Sequence, residues 1–202
     1  MDDIVKQAMV KWPDVPDCYG WLGLDARGNW YMRDERIQIL GTFDGANPAS
    51  KGSLLQHDKL IEFIGRNYGV DLLGQWYFQN GPQRVYVELQ ATPLIWRIQG
   101  DYSVKDHIGR GASVRRCILD EIGHVYLESD AGFGMVHTQD MGLAADAIEL
   151  GFWVPQNALR QTLPESHGFV KSPQALQKSS ATLNEYGHES AKDKSGSSRG
   201  GC

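Results

Sequence analysis

The chain has 202 residues, 41% hydrophobic and 22% charged, which is enough for one large domain or two small ones with a real core. A formal net charge of -5 argues against nucleic acid or an anionic membrane as a general partner, since either would need a basic face. The cysteines, Cys18, Cys117 and Cys202, are odd in number and far apart, which indicates neither a disulfide framework nor a zinc ribbon and fits a reducing, cytoplasmic setting.

Residues 2–11 read as a short helix, with Asp2 or Asp3 as cap, Ile4, Val5, Ala8 and Met9 on one face, and Pro13 and Pro16 beyond its end. No basic segment followed by an apolar one marks a secretory signal, and no apolar run reaches the roughly eighteen residues of a membrane span. A hairpin follows, with strands at 18–24 and 29–33 around Leu24-Asp25-x-x-Gly28. Tyr19 and Trp21 share one side of its first strand and Leu22 and Leu24 the other, so cover on both faces is expected.

Residues 34–56 carry Gly41, Asp44-Gly45, Asn47-Pro48 and Lys51-Gly52 and read as a long loop with one short strand at 37–40. Residues 57–67 place Leu60, Ile61 and Ile64 at helical spacing, and Gly69 stops the run. A three-strand meander is predicted at 75–79, 83–90 and 94–99, with turns at Asn80-Gly81 and Thr92-Pro93. The Gly-rich, charged stretch 100–112 reads as the boundary between two halves.

Beyond it the second half restates the first. Leu119-Asp120-x-x-Gly123-x-x-Tyr126 repeats the chemistry of Leu24-Asp25-x-x-Gly28-x-x-Tyr31, between strands at 114–119 and 124–128. A strand at 133–138 and a helix at 140–150 follow. Residues 152–173 are irregular, yet Phe152, Trp153, Val154 and Phe169 suggest that they lie against the body. From Pro173 the composition shifts to Ser, Gly, Lys and Gln, and residues 173–202 are expected to be a disordered tail. The fold class is therefore α+β. Two related halves, 1–100 and 101–172, each pack antiparallel strands with one helix, between a short N-terminal helix and the tail.

Several stretches carry a resemblance: the run from Lys11 to Asp25, Phe63-Ile64-Gly65-Arg66-Asn67-Tyr68, the strand pair from Trp76 to Leu89, and Gly132-Phe133-Gly134-Met135-Val136-His137-Thr138. Over about residues 1–172 the chain resembles an uncharacterised bacterial family known only as a domain of unknown function. In the order of hairpin, helix and meander it also resembles a second family of unknown function, built of two α/β repeats and suspected of signalling or ligand sensing. Neither resemblance supplies catalytic residues.

Candidate sites divide along chemistry. His124, His137, Glu128 and Asp130 could converge on a metal, but no His-x-His or clustered Cys spacing sharpens the set, and polar strand positions explain it better. Cys18 and Cys117 are the only thiols of the body, and Cys117 reads as a small buried hydrophobe. Gly109-Arg110-Gly111 and Gly132-Phe133-Gly134 lack a full phosphate-loop pattern. In Asp106-His107 and His57-Asp58 capping or solvation outweighs acid/base work.

Trp21, Trp30, Tyr31, Trp76, Tyr77, Phe78, Tyr86 and Trp96 all fall on predicted strands, and a core accounts for most of them. The alternative is an aromatic surface for a small apolar ligand or a protein partner, built of Trp21, Trp30, Trp76 and Tyr86 with Arg84 and Arg97 on its rim. The expectation is thus a cytoplasmic, non-enzymatic binding or regulatory module without cofactor or metal, with a homo-oligomer compatible and neither nucleic acid nor membrane as partner. An enzyme with a site between the halves, the 34–56 loop lying over Arg84, Arg97, Asp101 and His107, is the alternative.

Overall fold

The structure, a computed structural model, describes residues 1–180. Helix α1 (Asp3–Lys11) precedes strands β1 (Cys18–Leu24) and β2 (Trp30–Met32). The long loop holds a short helix α2 (Glu35–Gln38), a 3₁₀ turn (Pro48–Lys51) and β3 (Ser53–Leu54). Then come α3 (Asp58–Arg66), β4 (Tyr68–Val70), β5 (Trp76–Asn80), β6 (Gln83–Leu89) and β7 (Leu94–Ile98). Strands β8 (Val104–Asp106), β9 (Gly111–Ala112), β10 (Val114–Asp120), β11 (Val125–Ser129) and β12 (Gly132–Val136) follow. Helix α4 (Met141–Glu149), β13 (Pro155–Ala158), α5 (Leu163–Ser166) and helical turns at 173–180 complete the described chain.

The strands form two mixed sheets, and the α+β class holds. The first has the order β3-β2-β1-β6-β5-β4 and the second β13-β10-β11-β12-β7-β8-β9. The β1–β6, β10–β13 and β12–β7 pairs are parallel, and the other neighbours run antiparallel. One contiguous apolar core serves both sheets. Leu22, Leu24, Trp30 and Val87 from the first meet Leu94, Ile95, Trp96, Leu127 and Val136 from the second, all at most 2% exposed. Helix α3 contributes Ile64 and reaches the second sheet, because Gly65 lets the helix backbone lie close to Ile108.

The predicted meander differs from the structure in its third strand. β7 leaves the first sheet and enters the second, between β12 and β8. Thr92-Pro93 is a crossing and not a hairpin turn. The Thr92 hydroxyl donates to the Leu94 carbonyl at 2.7 Å and accepts the Met135 N–H at 2.9 Å, fixing the crossing to β12. The supposed linker at 100–112 carries β8 and β9, and the strand predicted at 37–40 is replaced by α2, whose first turn Asp34 caps by accepting the Ile37 N–H at 3.0 Å.

The tail expected from Pro173 begins as helix. Ser172 Oγ accepts the Ala175 N–H at 3.2 Å and Glu88 accepts the Gln174 N–H at 3.0 Å, so the start of this helix is capped from the first sheet. The rest of the expected tail, 181–202, lies outside the described residues.

One turn design closes four hairpins, at Asp25, Asp71, Asp106 and Asp120. In each the Asp Oδ1 accepts the backbone N–H groups two and four residues on, at 2.7–3.1 Å. The residue three positions on is Gly28, Gly74, Gly109 or Gly123, with φ between 76° and 88°, a conformation that a Cβ would strain. The second carboxylate oxygen takes a side chain four positions on: Asn29, Gln75, Arg110 or His124.

The 34–56 loop is fixed from beneath by Arg33, which is 0% exposed. Its guanidinium donates to the carbonyls of Ser50 at 2.8 Å, Gly41 at 2.7 Å and Gly20 at 3.3 Å. Burial pulls its pKa down, and the charge of Glu88 opposes the shift. Phe43, 2% exposed, fills the space above Gly23. Further bonds tie the loop to Gln90 through Lys51, to Lys171 through Asp44 and to Gln174 through Gln38. These ties lie on the first sheet and the C-terminal segment.

Candidate functional site

Strand alternation separates the aromatic set. Phe78 and Val85 are paired across β5 and β6 on one face, while Tyr77 and Tyr86 are paired on the other. On that other face Tyr86, 3% exposed, stacks on Tyr19 with ring centroids 4.6 Å apart, and its hydroxyl donates to Asp71 at 3.1 Å. Burial first, then the bond to Asp71, drives the Tyr86 hydroxyl up to about 12, despite the opposing pull of Arg84. Arg84 lies over the Tyr77 ring at 4.9 Å. Trp30 and Trp76, 1% and 8% exposed, are core residues that meet through Tyr68, with centroid distances of 5.2 Å and 4.8 Å. Arg97 lies on the second sheet, with Nε 2.6 Å from the carboxylate of Asp140.

Of the six residues expected to share one surface, Arg84 and Tyr86 share one face of β6, Trp30 and Trp76 lie together in the core, and Trp21 and Arg97 stand apart from both pairs. Trp21 alone, 37% exposed, borders an apolar cavity. This cavity, of about 320 Å³, lies between α3 and the sheet strands β1, β2, β5 and β6. Leu22, Ile64 and Phe78, each at most 6% exposed, form its floor. Trp21, Met32 and Leu60 stand at its mouth, 37%, 44% and 37% exposed. Cys18 also lines it, and burial pushes the Cys18 thiol up, so it behaves as a small hydrophobe at neutral pH. Asn80 and Gln83 add polar groups at one end. Leu60 and Ile64 carry the helical spacing visible in the sequence, but nothing in that spacing tells that Leu60 stays half open.

The remaining candidates have structural partners. His124 Nδ1 pairs with Asp120 Oδ2 at 3.1 Å, and His137 Nδ1 accepts the Gln139 N–H at 3.1 Å as a cap. Asp130 accepts the Ser113 N–H at 2.9 Å, while Glu128 lies against Arg116 and 3.4 Å from His167. His57 caps α3, its Nδ1 accepting the Leu60 N–H at 3.3 Å. Asp101 accepts from Ser103, and Asp106 holds Arg110. Burial raises the Cys117 thiol to about 11, which leaves it protonated and unreactive at neutral pH.

His107 is the outlier. Its Nδ1 accepts the Ile95 N–H at 3.3 Å, which puts the proton on Nε2, and that buried nitrogen, like Trp30 Nε1, has no hydrogen-bond partner among the described residues. The ring sits among Trp30 and Tyr68, and burial pushes its pKa down to about 4, against the pull of Asp106.

Comparison with known proteins gives a family without an activity. The DUF2944 family model, described as a protein of unknown function (DUF2946), matches residues 1–191. No curated protein matches. Two solved structures are similar. A DUF1285 family protein from Silicibacter pomeroyi DSS-3 has a TM-score of 0.43 at 12% identity, over 64% of this chain and 69% of that one. A DUF1285 family protein from Shewanella baltica OS155 has a TM-score of 0.42 at 14% identity, over 62% of this chain and 91% of that one. The resemblance to a domain of unknown function is met along nearly the whole sequence, and the chain belongs to the DUF2944 family.

Proposed function

We propose that this protein is a non-enzymatic binding module that takes a small, uncharged apolar molecule in the groove beneath α3. The carrying observation is that core residues Leu22, Ile64 and Phe78 are reached through a mouth whose own side chains, Trp21, Met32 and Leu60, are exposed and apolar. A volume of about 320 Å³ is at the small end of ligand sites, and a mostly apolar wall with a few polar groups is their usual make-up. The free thiols Cys18 and Cys117 support a reducing, cytoplasmic setting. The like order of hairpin and helix on either side of residue 100 supports reading the halves as a duplication, and a protein partner or second copy is compatible with the same exposed mouth.

Titration with the neutral fluorescent probe aminoanthracene tests the reading. Saturable binding at one site is expected, weakened about tenfold by Leu60→Gln, a change of roughly 1.4 kcal/mol at a half-exposed position that leaves the fold intact. Binding that is non-saturable, or unchanged in both Leu60→Gln and Trp21→Gln with native circular dichroism, would overturn it.

A further inference from the structure

A second cavity, also about 320 Å³, opens at the junction of the two sheets, where the chain crosses from β6 to β7. Its floor is Tyr126, Leu163 and Phe169, at most 5% exposed. The Tyr126 hydroxyl is engaged, donating to Asp120 at 2.9 Å, so the floor offers ring and alkyl surface. The rim is charged and carries Arg160, Lys171 and Glu121.

These three charges are not equally free. Glu121 Oε2 accepts the backbone N–H of Arg160 at 2.8 Å, and Lys171 Nζ is paired with Asp44 at 2.8 Å. The Arg160 guanidinium has no protein acceptor among the described residues, although it stands near enough to Tyr126 for its charge to act on that hydroxyl. A planar five-donor fork left unpaired over an apolar floor suits a carboxylate attached to an apolar body. The cavity has room for about ten water molecules' worth of ligand. We infer that this junction cleft is a second binding site, for a small organic acid whose carboxylate pairs with Arg160 and whose apolar part lies on Tyr126, Leu163 and Phe169. Lys171 adds less, because Asp44 of the 34–56 loop already shares its charge; releasing it strengthens the site.

Calorimetric titration of the full chain with phenylbutyrate and with uncharged phenylbutanol tests this. Phenylbutyrate is expected to bind at one site, about tenfold tighter than phenylbutanol. Arg160→Met, which keeps the stem of this exposed residue, removes the preference, whereas Asp44→Asn raises phenylbutyrate affinity severalfold. Both titrations are repeated in the Leu60→Gln chain, where phenylbutanol held in the groove beneath α3 is weakened, and the preference for phenylbutyrate is expected to persist there. Equal affinity for the two probes, a preference that survives Arg160→Met, or no saturable binding at millimolar concentration overturns the inference.

Discussion

At the scale of single residues, Asp120, which closes one hairpin, and His107, beside another, tie the protein's stability to acid. Burial works against ionisation of Asp120, but the N–H of His124, the Tyr126 hydroxyl, the His124 ring and the Ile122 N–H outweigh it and hold its carboxyl below the ordinary value. The stability it contributes is present above the carboxylate range and is lost only as pH falls through its lowered pKa. His107 acts earlier. Its folded pKa of about 4 lies below its ordinary 6.5, so protons bind the unfolded chain first and stability declines as pH falls from about 6.5 toward about 4. The gap corresponds to at most about 3 kcal/mol. Burial moves His137 and His167 in the same direction. Urea midpoints measured near neutrality and near pH 4.5 should therefore differ clearly in the native chain and by much less in His107→Phe. An equal loss in both would show that His107 is not the group responsible. Of the four turns, those at Asp25 and Asp120 were legible as Leu-Asp-x-x-Gly-x-x-Tyr. The third was equally open to reading, since Val70-Asp71-Leu72-Leu73-Gly74-Gln75-Trp76-Tyr77 has the same frame. Gly69 draws attention as a helix stop and hides it. The fourth, at Asp106, has no Tyr six residues on and no apolar residue before it, so its frame is visible only in the hydrogen bonds.

At the scale of elements, what could be read was whatever depends on local periodicity. The helical spacing of Leu60, Ile61 and Ile64 gives α3, and the alternation of Val85, Val87 and Leu89 gives β6. What could not be read was which sheet a strand joins. Leu94, Ile95 and Trp96, all 0% exposed, suit a meander and a crossing equally well, and the choice falls to Thr92 and β12. The same holds for the groove, where Trp21 was legible as an aromatic on a strand but its neighbours Met32 and Leu60 come from other elements. The 34–56 loop is the plainest case, for its turn residues announce irregularity while its order comes from Arg33, which precedes it. Arg33→Lys keeps the charge but cannot reach three carbonyls with one ammonium. It is expected to cost about 3 kcal/mol or more in urea denaturation, since buried backbone acceptors and a buried charge lose their partners together. Limited proteolysis should cut first within 34–56. A variant as stable as the native chain, with that loop still resistant, would show that Arg33 is not its anchor.

At the scale of the whole molecule, the two sheets are bound into one cooperative body by the strand that crosses between them. Leu94 of β7 is 0% exposed, and both it and Trp76 of the first sheet come within 4 Å of the place a Cβ on Gly132 of β12 would occupy. His107, from the second sheet's β8–β9 turn, packs on Gly28 and Trp30 of the first. A core shared in this way cannot lose one sheet without exposing the apolar face of the other, so unfolding is expected as one transition, with calorimetric and van't Hoff enthalpies in agreement. Leu94→Ala is the sharpest probe. Removing a fully buried leucine from a close-packed site costs about 2–5 kcal/mol. If the body is one unit, hydrogen exchange should quicken by the same factor in β1, β5 and β6 as in β10 to β12. Faster exchange confined to the second sheet, or a second calorimetric peak, would mean that the halves unfold apart and that the junction cleft lies between two separable units.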